Sequence, residues 1–137
     1  MRVERVVYAD SSALVKLVLD EPESDDLEAY VEATGAQLGT SRLAVVEVAR
    51  ALRVGNASLE AQTKAADLLE ESVLVDVGEP LLQAAAAIAS RELRTLDAIH
   101  LATIEFIDPD EVLVYDRRLR ESVREAGFTT VSPGAEG

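Results

Sequence analysis

The sequence predicts an α/β fold, a three-layer α/β/α sandwich with a central parallel sheet. Two observations carry this expectation. Short apolar runs alternate with longer helical stretches along the chain, the pattern of strands joined by helical crossovers. Such crossovers are right-handed, so the helices come to lie on both faces of the sheet. No repeat and no linker interrupts the alternation, so residues 1–132 are expected to form a single domain, with 133–137 as a flexible tail.

The elements follow in order. Arg5–Asp10 opens with the run Val6-Val7-Tyr8-Ala9, a strand. A helix over about 11–19 comes next, with Ser11 or Ser12 as its expected N-cap. Glu21-Pro22-Glu23-Ser24 breaks it, and a second helix runs from about 24 to 34, ending near Gly35. A short strand at 37–41 leads into a helix that surrounds Glu47 with apolar residues almost all round and stops before Gly55-Asn56. A helix over about 58–71 precedes Ser72–Val77, which reads as a buried strand, and Pro80 sits in the first turn of the next helix. The helix carrying Asp97 ends near Asp108-Pro109. A strand at 111–115, a helix at 117–126 and a strand at 128–131 complete the count of five strands.

Composition narrows the class. Apolar residues make up 48% of 137, enough for one sizeable core and too many for a disordered chain. No apolar run approaches the roughly 18 residues of a membrane span. Met1-Arg2-Val3-Glu4 lacks the apolar core of a signal peptide, and there is no cysteine for a disulfide frame, a thiolate metal site or a nucleophile. The expected location is the cytoplasm. A net charge of −13 argues against a general polyanion binder and suits either a basic protein partner or simply solubility. The 13 basic residues are unevenly placed, however. Arg91, Arg94, Arg117, Arg118, Arg120 and Arg124 fall within one stretch, and arginine is the better fork for phosphate.

Four acids stand where a carboxylate needs a reason to be. Asp10 and Asp116 each close an apolar strand run, Val6–Ala9 and Val112–Tyr115. Glu47 interrupts an apolar helix, and Asp97 opens another. Carboxylates withdrawn from water are costly unless a cation or hydrogen bonds meet them. In open α/β sheets ligands bind beyond the carboxyl ends of the strands, where strand order reverses. If the first and fourth strands are neighbours, Asp10 and Asp116 share that crevice, and Glu47 and Asp97 can reach it from helices. An all-oxygen set of this kind suits a hard divalent cation such as magnesium, which would activate water and clamp a phosphate. The plain alternatives are helix capping for Asp10 and Asp116, a favourable helix dipole for Asp97, and pairing of Glu47 with Arg50 or Arg53 on a half-exposed helix.

Other residues have two readings each. His100, one turn after Asp97, can serve as acid or base or be packed and hydrogen-bonded. Ser12 can reach a metal-bound water or cap a helix. Arg117, Arg118 and Arg120 can bind substrate phosphate or form a solvated face. Lys16 reads as a helix-surface charge, and Asp76 as part of a turn before Gly78-Glu79-Pro80.

Four segments resemble the motifs of the PIN-domain family, in particular its VapC-type toxins. These are Tyr8–Leu17, Ser41–Leu52, Thr95–Thr103 and Val114–Leu119, in the family's order and spacing across nearly the whole chain. The resemblance implies a five-stranded PIN-like sandwich and an endoribonuclease dependent on magnesium or manganese. Its catalytic and metal-binding acids fall on Asp10, Glu47, Asp97 and Asp116. It further implies an RNA substrate, a homodimer and a VapB-like antitoxin whose tail blocks the site.

Rivals are a receiver domain, which needs paired acids where Ser11-Ser12 stand, and a dehalogenase-like phosphatase, which needs a second Asp at Ser12. The stronger rival is a non-catalytic PIN-like module that acts through a protein partner; four intact acids speak against it.

Overall fold

The computed structural model describes residues 5–135, so the expectation for Met1–Glu4 and the end of the tail, Glu136-Gly137, lie outside the described residues. Five parallel strands form one sheet: β1 (Val6–Ala9), β2 (Gln37–Ser41), β3 (Val73–Val75), β4 (Glu111–Leu113) and β5 (Thr130–Val131), in the order β3-β2-β1-β4-β5. Seven helices among the described residues are interleaved: α1 (Ser11–Val18), α2 (Ser24–Thr34), α3 (Leu43–Val54), α4 (Leu59–Glu71), α5 (Glu79–Ala86), α6 (Thr95–Ile107) and α7 (Arg117–Glu125). From β1 the chain winds outward to β2 and β3, then returns to add β4 on the other side. The strand order therefore reverses between β1 and β4, where Val7 pairs with Glu111 and Ala9 with Leu113. That pairing meets the condition for a shared crevice above Asp10 and Asp116.

Strand alternation sorts the core into two layers. Val7, Ala9 and Leu113 pack with Ala13 and Leu14 of α1 and with Ala44, Val48 and Leu52 of α3. Tyr8, Val112 and Val114 point the other way, against Leu101 and Ile104 of α6 and Leu119 and Val123 of α7. Helices thus cover both faces, as their right-handed crossovers require. Gly39 lets α6 lie close, since a Cβ there would meet Ile107 Cδ1 at 3.4 Å. α2 ends at Gly35 in the left-handed conformation (φ 59°), which glycine adopts without steric cost.

Several local expectations are corrected. The strand at 72–77 is shorter and is an edge strand: only β2 flanks it, and Val73 is 46% exposed. α3 buries one stripe, Ala44, Val48 and Leu52, and leaves Val46 57% exposed on its outer face. The cap of α1 is Asp10 rather than either serine, its carboxylate accepting from Ala13 N at 3.0 Å. At the end of the domain, Ser132 Oγ donates to the Val114 carbonyl at 2.6 Å, and Tyr115 OH donates to the carbonyl of Pro133 at 2.8 Å. Lys16 is no surface charge. Its ammonium donates to Glu23 at 2.8 Å and to Glu21 at 3.3 Å, and lies 5.0 Å from the centre of the Tyr115 ring.

Candidate active site

All four acids line one open cleft of about 1100 Å³ at the strand-order reversal. Asp10 enters it from the end of β1, Glu47 from α3, Asp97 from the first turn of α6, and Asp116 from the N-cap of α7. Ser11, Ser12, Arg94, His100, Arg117 and Arg118 share its walls.

Asp10 is the most buried of the four, at 5% exposure. Its Oδ1 caps α1 through Ala13 N and accepts from Ser12 Oγ at 2.8 Å. Burial pushes its carboxyl above the usual range, with the neighbouring charge of Glu47 adding to it, and the Ala13 N–H and His100 only partly oppose this. Asp116 caps α7, Oδ2 accepting from Leu119 N at 2.9 Å. Asp97 accepts from the Arg94 backbone N–H at 3.4 Å, folding back on its own helix start. Capping and lining the cleft are compatible, since each cap uses one oxygen of a carboxylate that has two.

Glu47 differs. Its Oε1 receives two donors, the hydroxyl of Ser11 and His100 Nε2, the latter at 2.7 Å. Burial would raise its pKa, but the hydrogen bond and charge of His100, with the Ser11 hydroxyl, outweigh that and hold it below the usual range. The expected alternatives, Arg50 and Arg53, are exposed and take no part.

Sequence reasoning placed Ser12, Arg117 and Arg118 at the site, and the cleft contains them. Arg120 points elsewhere, toward Ser132 Oγ at 3.3 Å, and does not line it. His100, which reads from sequence as packed or reactive, sits between Tyr8 and Glu47; Arg94, named only among six clustered arginines, and Ser11, read only as a helix cap, also line the cleft. The available signals were His100 at three residues from Asp97 on one helix face, and Ser11 beside Asp10.

The donor set suits a hard cation. It offers carboxylate and hydroxyl oxygens, and among the described residues no lysine or arginine forms an ion pair with Asp10, Asp97 or Asp116. No three acidic or histidine side chains among the described residues converge closely enough to enclose an ion by themselves. The fit is therefore to an ion of magnesium's kind, which keeps several waters and takes one or two carboxylates.

Comparison with known proteins agrees with this architecture. The family profile described as PIN domain matches residues 7–124. Ribonuclease VapC47 of Mycobacterium tuberculosis (strain CDC 1551 / Oshkosh) is 38% identical over 136 residues, spanning 95% of this chain and 98% of the relative. Ribonuclease VapC46 of the same species (strain ATCC 25618 / H37Rv) is 38% identical over 130 residues, spanning 93% and 97%. The crystal structure of M. tuberculosis VapC20, a sarcin-ricin-loop-cleaving toxin, has a TM-score of 0.73 at 19% identity, covering 93% of this chain and 99% of that one. A toxin–antitoxin complex from Klebsiella pneumoniae has a TM-score of 0.70 at 17% identity, covering 93% and 97%. These two structures speak to the fold. The chain belongs to the PIN-domain family. Within it, the curated likeness lies with the VapC ribonucleases.

Proposed function

We propose that this protein is a VapC-type endoribonuclease toxin, dependent on magnesium or manganese and restrained by a cognate antitoxin. One observation carries the reading: four acids from four separate elements line a single cleft at the sheet's strand-order reversal.

A bound divalent cation supplies Lewis acidity and charge neutralisation at the scissile phosphate. Asp10, Asp97 and Asp116 would hold it, directly or through water, and Glu47 would complete its shell through bound water. Glu47 orients the attacking water and takes up its proton through the oxygen that its two protein donors leave free. Arg117 and Arg118 at the rim draw the RNA backbone into the cleft by its phosphates, so the acidic surface elsewhere does not govern substrate entry. Attack in line on phosphorus leaves a 5′-phosphate and a 3′-hydroxyl. An antitoxin segment with a basic side chain fits the acidic cleft, and a homodimer in the cytoplasm completes the proposal. Among the described residues no helix is long and apolar enough to cross a membrane.

The chemistry of the product ends tests the reaction class. Water attack yields 5′-phosphate and 3′-hydroxyl termini. Cyclic phosphate termini would mean attack by the ribose 2′-hydroxyl and would overturn the roles given to the acids.

A further inference from the structure

Beneath the cleft lies a chain of side chains that the four acids do not account for. Tyr8 of β1 is fully buried, and its hydroxyl stands 2.6 Å from His100 Nδ1. The two rings meet edge to face, 5.9 Å between centroids and 81° between planes. On the opposite edge of the imidazole, Nε2 stands 2.7 Å from Glu47 Oε1. Three elements that are far apart in sequence, β1, α6 and α3, are thus joined in one line that runs from the sheet to the cleft wall.

We propose that Tyr8 and His100 form a buried strut that fixes the Glu47 carboxylate, making His100 a positioning residue for the reaction. The inference rests on the endoribonuclease reading above.

One hydrogen-bond role is forced. A carboxylate can only accept, so His100 Nε2 carries the proton that Glu47 receives. In the neutral ring Nδ1 then accepts from the tyrosine hydroxyl, which holds the ring in that tautomer. With Ser11 also donating to Oε1, Glu47 is left with Oε2 alone for water or cation. Without the strut, Glu47 is a long side chain on a half-exposed helix with several rotamers open to it. Arg50, one turn along α3, then becomes a competing partner that would draw the carboxylate out of the cleft. A histidine kept only for packing has no need to spend both nitrogens, one of them on a residue of the site.

The chain has one histidine, which makes the test direct. In protein labelled with ¹⁵N-histidine, the long-range ¹H–¹⁵N spectrum of the wild type shows the proton on Nε2. A proton on Nδ1 alone overturns the strut. Two replacements then separate positioning from packing, because Gln places an amide N–H near Nε2 whereas Asn places one near Nδ1. In His100→Asn, manganese binding to the protein alone weakens by roughly 10- to 100-fold, the range for lost partners of metal ligands. Its RNA cleavage loses kcat with KM little changed. His100→Gln recovers most of both, and Tyr8→Phe, which keeps the packing, falls between. Near-UV circular dichroism establishes that each variant is folded. A folded His100→Asn with wild-type manganese affinity and kcat, or equal impairment of His100→Asn and His100→Gln, overturns the proposal. A wild type that binds manganese but cleaves no RNA defeats the endoribonuclease reading instead, and the tautomer and manganese titrations still judge the strut.

Discussion

Asp10 and Asp116 cap helices on opposite faces of the sheet from the ends of neighbouring strands, and each does so with a single oxygen. Asp10 Oδ1 receives Ala13 N at 3.0 Å, and Asp116 Oδ2 receives Leu119 N at 2.9 Å. The second oxygen of each carboxylate remains for the cleft. The caps fix the two acids through the backbone of α1 and α7, so the site inherits its geometry from the sheet.

Stability and activity therefore separate at these positions. Asn caps a helix about as well as Asp, so Asp10→Asn and Asp116→Asn should keep the melting temperature close to wild type. Both should lose RNA cleavage by a hundredfold or more, an order typical of removing one group that acts on the transition state. Ala at either position also loses the cap, which costs about 1 kcal/mol and lowers Tm by roughly 4 °C. Thermal melts beside cleavage rates check the pair. Full activity in a folded Asp10→Asn protein would sink the assignment.

Arg117 and Arg118 line the cleft, whereas Arg124 on the same helix donates to Thr130 at 2.7 Å away from it. The double change Arg117→Ala with Arg118→Ala should raise KM for RNA and leave kcat nearly unchanged. Two lost phosphate contacts should also lower the slope of log affinity against log salt by about 1.4, given ~0.7 per contact for single strands. Arg124→Ala should behave as wild type. An unchanged salt slope in the double variant would remove the arginines from the substrate path.

The Lys16 cluster gives the protein a pH signature of its own. The hydrogen bond from Lys16 holds Glu23 below its ordinary value of 4.5, against a smaller opposing effect of desolvation. A depressed carboxyl contributes stability above that ordinary value and loses it as pH falls through the depressed one. Burial would lower Lys16, but Glu23 and Glu21 outweigh it and raise it above 10.5, so its contribution is present below that value and lost at higher pH. Lys16→Met should therefore flatten the fall in Tm on both the acid and alkaline sides. A Tm–pH curve parallel to wild type would show that the cluster contributes nothing.

Much of this was legible in the sequence because it is local. An acid that ends a Val-rich run marks the carboxyl end of a strand, and this located Asp10 and Asp116. What stayed hidden depends on distant partners. His100 reads as packed or reactive until Tyr8 and Glu47, remote in sequence, arrive on its two edges. Val73-Leu74-Val75 has the composition of a central strand, and only the strand order makes it an edge. Arg120 follows Arg117 and Arg118 on one helix, yet its long side chain turns to Ser132, which is itself tied to Val114. Lys16 is drawn inward by Glu21 and Glu23 because the turn at Pro22 brings them back over α1.

The central claim is that acids in this cleft, together with a divalent cation, cut RNA. The most direct measurement incubates purified, antitoxin-free protein with total cellular RNA in manganese, in magnesium and in chelator, with Asp97→Asn alongside. Discrete fragments should form with either metal, disappear with chelator, and be missing from the folded variant. Cleavage that persists in chelator or in Asp97→Asn, or no cleavage by folded wild type with any metal, would contradict the claim and favour a module that works only through its protein partner.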